Sequence, residues 1–145
     1  MFNGIIFNTG KVKNIKKNKK SIYISIQTKI NFNKSDIGSS VCCDGVCLTL
    51  EKIYGDKIFF YISDETLKRS NFKNLKLNQI INLEKSLSFG QSISGHFIQG
   101  HVDAVAKIKR IKFIDKTWVI KFKILDKKLN KFLTEKASIS INGVS

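Results

Sequence analysis

Proline is absent from this chain, cysteine occurs three times and histidine twice, and 11 acidic residues stand against 26 basic ones. An odd set of cysteines, with Cys42 and Cys43 adjacent, makes a poor disulfide framework, so a reducing cytoplasm is the expected setting. Adjacent cysteines on a strand point to opposite faces, which leaves too few convergent ligands for zinc, and no metal is expected. No apolar run approaches the roughly 18 residues of a membrane span. No basic stretch precedes an apolar core at Met1-Phe2-Asn3-Gly4-Ile5-Ile6, so neither a membrane partner nor a secretory leader is expected. Arginine is nearly missing, with Arg69 and Arg110 its only occurrences, so the net charge of +15 is almost all lysine. Such an excess, accompanied by asparagine, isoleucine and phenylalanine but no proline, is what A/T-rich coding DNA produces. Nucleic acid is therefore disfavoured as a partner, although charge alone would suggest it.

What the chain does contain is a repeat. At a shift of 96 residues, Gly4, Lys11, Lys13, Ile15 and Lys16 fall on the identical residues Gly100, Lys107, Lys109, Ile111 and Lys112. At a shift of 98, Ser40-Val41-Cys42-Cys43-Asp44-Gly45-Val46-Cys47 falls on Ser138-Ile139-Ser140-Ile141-Asn142-Gly143-Val144-Ser145. A long internal period means one structural unit used twice. The first copy runs on past Cys47 to at least Leu83, which the second does not match.

Alternation, not helical spacing, dominates within each copy. Ile22, Ile24 and Ile26 share one face, and Trp118, Ile120, Phe122 and Ile124 repeat the pattern. Lys57 to Ile62, Gln79 to Leu83, and Ile139 with Ile141 are further strand candidates. Asp44-Gly45 and Asn142-Gly143 suit tight reversals between strands. The lysine-rich run from Lys11 to Lys20 ends a strand and fills an exposed turn. Short helical turns are expected at Asp64 to Arg69, with Asp64 as N-cap, and at Asp126 to Phe132. The fold class is all-β: two tandem small six-stranded Greek-key barrels, the second incomplete in this chain. The domains expected are residues 1–95 and 96–145, joined near Ser86 to Gly95. Closing a sheet into a barrel is how a module this small removes its exposed edges.

Two clusters could carry chemistry. Gly95-His96-Phe97-Ile98-Gln99-Gly100-His101-Val102-Asp103 sets two histidines and an acid between glycines, which allow close backbone approach to a ligand. Both histidines could equally hydrogen-bond backbone at a domain junction. Gly45-Val46-Cys47-Leu48-Thr49 follows a tight turn, with Cys47 and Thr49 on one face. A single buried cysteine is most often a small hydrophobe. Its repeat counterpart is Ser145, however, and a small polar group at equivalent points of both copies suits paired binding sites better than packing.

Met1-Phe2-Asn3-Gly4-Ile5-Ile6, Asp44-Gly45-Val46-Cys47-Leu48-Thr49, Glu65-Thr66-Leu67, Ile81-Asn82-Leu83-Glu84 and Gly95 to Asp103 occur in an order that resembles the riboflavin synthase family, built from two related barrels. The resemblance covers the whole chain, and Asn142-Gly143-Val144-Ser145 is similar to the start of the family's second Gly-Val-Ser-Leu-Thr turn. Asn3 and the Ser63-Asp64 pair depart from the small or apolar residues usual there. The resemblance implies a cofactor-free transferase of riboflavin biosynthesis, in which two molecules of 6,7-dimethyl-8-ribityllumazine exchange a four-carbon unit. It implies a homotrimer with each site shared between subunits. Carried over residue by residue, it implies substrate contacts at Phe2, Gly4, Ile5 and Ile6, at Cys47, Leu48 and Thr49, and at Tyr61, Ile62, Ser63, Asp64, Glu65 and Thr66. Gly100, His101 and Val102 would reach the second ring, with Lys136 and Ser145 completing the set. His101, Cys47 and Ser145 are the catalytic candidates, His101 for proton transfer. The alternative is a lumazine- or flavin-binding module without turnover, because dismutation needs two facing sites and binding needs one.

Overall fold

Strand β1 (Asn8–Lys17) reverses at Asn18 to Lys20 into β2 (Ser21–Thr28), and three more strands follow as a meander: β3 (Ser40–Cys43), β4 (Val46–Tyr54) and β5 (Lys57–Ser63). A short helix α1 (Asp64–Arg69) and a 3-10 turn (Asn71–Asn74) lead to β6 (Ile80–Lys85) in this computed structural model, which describes all residues from 1 to 145. The strands close in the order β1-β2-β5-β4-β3-β6, every pairing antiparallel. Strand β6 returns beside β3, the first strand of the meander, which is Greek-key connectivity. Closure gives every strand a neighbour on both sides, although β4 and β5 pair over only part of their length.

Alternation filled the barrel as the sequence predicts. Val12, Ile24, Ile26, Leu50, Ile58, Phe60, Ile62, Ile81 and Leu83 are its buried core, while Tyr23 and Tyr61 pair outside with ring centroids 5.0 Å apart. Cys43 enters that core and Cys42 does not, so the adjacent thiols do point to opposite faces. One expectation is corrected at α1. Its N-cap is Ser63, not Asp64: the Ser63 hydroxyl accepts the Thr66 N–H at 3.3 Å, and Asp64 is the first helical residue. A serine one position earlier reaches the N3 amide, whereas Asp64 is left to face Lys68 one turn on.

Contacts divide the chain into two units, Met1–Val102 with Ser138–Ser145, and Asp103–Ala137. The second unit is a hairpin, β7 (Ala106–Ile114) with β8 (Thr117–Ile124), followed by a 3-10 turn at Lys127–Phe132. Asp126 caps that turn by accepting the Lys128 N–H at 2.9 Å. The hairpin repeats β1–β2 in detail. The β1–β2 register shifts between Val12 and Asn14, and the β7–β8 register shifts between Ile108 and Arg110, which are the same positions 96 residues later. A bulge of this kind bends and twists a strand at a fixed place, so its recurrence marks one structural unit used twice. Val12 is fully buried, whereas its counterpart Ile108 is 58% exposed, because a lone hairpin has no second layer to cover it. No helix in the structure is long and apolar enough to cross a membrane.

Candidate functional site

The residues that converge lie on the outer face of the barrel, in the first unit. There Phe2, Cys42 and Ile98 form a small apolar cluster of their own, with Cys47 packed against it. Phe2 and Ile98 exchange backbone hydrogen bonds of 2.8 and 3.0 Å, so the N-terminal segment and residues 95–102 lie side by side as extended chain. Phe2 and Ile98 are themselves 96 residues apart, and each repeat is therefore meeting its own image.

The rest of the contact follows that two-fold pattern. Gly4 and Gly100 are repeat equivalents and share a left-handed backbone, with φ of 72° and 74°. The Cys47 N–H donates to the Gly100 carbonyl at 2.8 Å, and the Ser145 N–H donates to the Gly4 carbonyl at 3.0 Å. Cys47 and Ser145 are the counterparts that follow the two Gly-Val turns. Those turns, Asp44-Gly45 and Asn142-Gly143, have positive φ at both residues, the geometry that a two-residue hairpin requires. They touch: a Cβ on Gly45 would stand 2.8 Å from the Gly143 nitrogen, and one on Gly143 would stand 3.1 Å from the Gly45 nitrogen.

Residues of β6 tie the arrangement to the barrel. The Asn82 N–H donates to the Asp44 carboxylate at 2.7 Å, and the Asn82 side-chain amide donates to the Asn142 carbonyl at 3.0 Å, so one residue holds both turns. Burial pushes the Asp44 carboxyl above its usual range, and that Asn82 hydrogen bond partly offsets the effect. The Glu84 carboxylate accepts the Asn3 N–H at 2.6 Å and the Gly4 N–H at 3.0 Å.

Between β4 and β5 the barrel has a seam. Their ladder stops at Leu50–Phe60, yet β4 continues pairing with β3 down to Val46 and β5 continues pairing with β2 up to Ser63. The lips of this seam are Cys47-Leu48-Thr49 and Tyr61-Ile62-Ser63. Antiparallel ladders turn successive residues' N–H and C=O groups to opposite sides. Cys43 and Val46 flank a two-residue turn, so Val46 and Leu48 serve β3 while Cys47 and Thr49 direct their backbone groups into the seam. The Cys47 N–H is taken by Gly100.

Of the candidate residues, Phe2, Gly4, Cys47, Gly100 and Ser145 are thus brought together, with Ile5 and Ile6 half-buried next in line. Thr49 and Tyr61 are exposed on the lips, while Leu48 and Ile62 turn inward and belong to the barrel core. Ser63 caps α1, where Asp64, Glu65 and Thr66 form the first turn. Val102 packs against the barrel core and His101 beside it is exposed. Lys136 lies in the second unit, with φ of 63°. The histidine that meets a candidate is His96, whose Nδ1 shares a 2.6 Å hydrogen bond with the Ser145 hydroxyl. Sequence reasoning left Glu84 and Asn82 without roles, although both stand in the quoted Ile81-Asn82-Leu83-Glu84 motif.

Asn3 carries a cost at this place. Its Oδ1 is buried without a hydrogen-bond partner. An unmet buried acceptor costs about 1–3 kcal/mol. Asn3→Ala is therefore expected to raise the unfolding free energy by about 1 kcal/mol in urea titrations without ligand. A loss of stability would show that the amide's packing outweighs its unmet oxygen.

Fold and contacts together define a class, the tandem-repeat Greek-key barrels in which the two copies meet about a local two-fold. The lumazine binding domain profile matches residues 3–86. The riboflavin synthase of Buchnera aphidicola subsp. Schizaphis graminum is 32% identical over 146 residues, a match spanning all of this chain and 70% of that protein. The riboflavin synthases of Escherichia coli K12 and Bacillus subtilis 168 are each 31% identical, again over the whole chain and over 68% and 67% of their own lengths. Among solved structures, LumP complexed with riboflavin superposes with a TM-score of 0.84 at 28% identity, covering 99% of this chain and 78% of that one. LumP complexed with 6,7-dimethyl-8-(1'-D-ribityl) lumazine gives a TM-score of 0.82 at 28% identity, covering 99% and 77%. This chain belongs to the riboflavin synthase family of lumazine-binding proteins, and it spans about two thirds of the length of these relatives.

Proposed function

We propose that the chain binds 6,7-dimethyl-8-ribityllumazine and acts in its dismutation to riboflavin and 5-amino-6-(D-ribitylamino)uracil. The observation that carries this reading is the unpaired seam between β4 and β5, with Gly100 held against Cys47 at one lip. A pyrimidinedione edge offers alternating donors and acceptors like those of a strand, and the Cys47 carbonyl and Thr49 N–H, which face the seam, suit it. Ribityl hydroxyls suit the polar run Ser63-Asp64-Glu65-Thr66 at the other lip. The proposed reaction needs no cofactor, because loss of a proton from the substrate's C7 methyl leaves a carbanion delocalised into the ring. The protein's share is then to stack two substrates and hold them in register, an entropic contribution, while polar groups move protons. His101 is the proposed proton carrier, and Cys47 and Ser145 are the polar groups at equivalent points of the two half-sites. Lys136 would contact substrate across a subunit boundary, which requires the homotrimer proposed here, in the cytoplasm.

A second reading, in which the chain binds without turnover, draws on LumP, which was solved with lumazine and with riboflavin. Fluorescence titration with 6,7-dimethyl-8-ribityllumazine, followed in time for riboflavin emission at longer wavelength, separates the two. Saturable binding with growing riboflavin emission is expected. Binding without product would establish the module and remove the dismutation. No binding would overturn both.

A further inference from the structure

Glu84 is the one acidic side chain of β6, and its work lies entirely on another segment. Along β6 the buried residues Ile81 and Leu83 fill the barrel, so Glu84 projects from the opposite face. Its strand neighbour on β3 is Cys42, whose side chain packs with Phe2 and Ile98. From there the two carboxylate oxygens take two successive backbone donors, Asn3 at 2.6 Å and Gly4 at 3.0 Å. Successive N–H groups aimed at one anion form a nest, and the left-handed φ of Gly4 is of the kind that builds one. The same two residues are held from the other side, for the Asn3 carbonyl accepts the His96 N–H at 3.1 Å and the Gly4 carbonyl accepts the Ser145 N–H at 3.0 Å. Glu84 thus fixes where the N-terminal segment presents Gly4, Ile5 and Ile6, and where it receives the second repeat.

We infer that Glu84 is a positioning residue for bound ribityllumazine, acting through the Asn3 and Gly4 amides without touching the ligand. The inference rests on the lumazine reading above. Hydrogen bonds to an ionised group are the stronger kind, and losing one of a pair displaces the segment it held. Glu84→Gln keeps size but offers one acceptor where two are needed. Glu84→Asp keeps the charge but is one methylene too short to span both amides, and it serves if the glutamine variant fails to fold.

The test compares the full chain with both variants by ribityllumazine titration, by thermal melting, and by the absorption spectrum of the bound lumazine. Affinity is expected to fall about tenfold to a hundredfold at a temperature where every protein is folded, with a changed bound spectrum. If the native chain binds and both variants bind equally well with the same spectrum, the positioning role is wrong and the lumazine reading stands. Affinity lost only in proportion to the unfolded fraction would likewise reduce Glu84 to a structural tie. A native chain that does not bind ribityllumazine overturns the reading and this inference with it.

Discussion

Gly100→Ala is expected to abolish ribityllumazine binding and to lower the stability of the first unit by about 3 kcal/mol. The backbone there has φ of 74°, where an L side chain costs about 1–2 kcal/mol. The new methyl would stand 2.9 Å from both the nitrogen and Cβ of Cys47 and 3.2 Å from its Cα. Those are backbone and near-backbone atoms of a paired strand, so the 100 segment must retreat. Retreat breaks the 2.8 Å bond from the Cys47 N–H to the Gly100 carbonyl, worth about 1 kcal/mol more. Gly55→Ala is the control. Its φ is 58° but its surroundings are open, so it carries the strain without the clash. Melting and titration of both variants should show a modest stability loss for Gly55→Ala with binding kept, and loss of both for Gly100→Ala. Binding retained by Gly100→Ala would remove the Cys47–Gly100 contact from the site.

How much of this was legible in the sequence depends on distance along the chain. Period-two alternation identified the strands because each side chain's face follows from its immediate neighbours. The Asp44-Gly45 and Asn142-Gly143 turns were legible for a similar reason, since only a few residue types tolerate positive φ twice in succession. The repeat predicted the common structure of the two hairpins. It did not predict that the copies meet at Phe2 and Ile98, because self-similarity says nothing about contact. Residues 96–102 and 138–145 therefore belong by contacts to the first unit, although the repeat assigns them to the second copy. Glu84 was illegible for a stronger reason. Its partners are amides some eighty residues away, and in the pattern Ile81-Asn82-Leu83-Glu84 it reads as an ordinary outward-facing strand residue. Ser63 was not legible as the cap because strand and helix meet there, and Asp64 one position on is also a residue type that caps helices.

The second large effect is expected in alkali. Burial pushes the Cys42 thiol from 9.0 up to about 12; the Gly45 N–H opposes this in part, while nearby Glu84, Cys47 and Asp44 raise it further. Burial also holds the Cys43 thiol well above its ordinary value. Well below pH 9 both thiols are neutral whether the chain is folded or not, and their contribution to stability is complete. Above it the unfolded chain ionises while the folded barrel keeps its protons, so stability drains away between pH 9 and 12. Cys42 alone would account for about 4 kcal/mol by the upper end, at about 1.4 kcal/mol per unit. Urea titrations between pH 8 and 11.5 should show the native chain losing stability as pH rises, with Cys42 and Cys43 both contributing in that direction. Cys42→Ala should make that slope shallower, and an unchanged slope would mean that Cys42 is not sealed from solvent. Cys47 gives the functional counterpart. It is half-buried where its two neighbours are sealed. A thiol reagent at neutral pH should therefore label Cys47 first, and saturating ribityllumazine should slow that labelling if the ligand lies along the seam whose lip Cys47 forms.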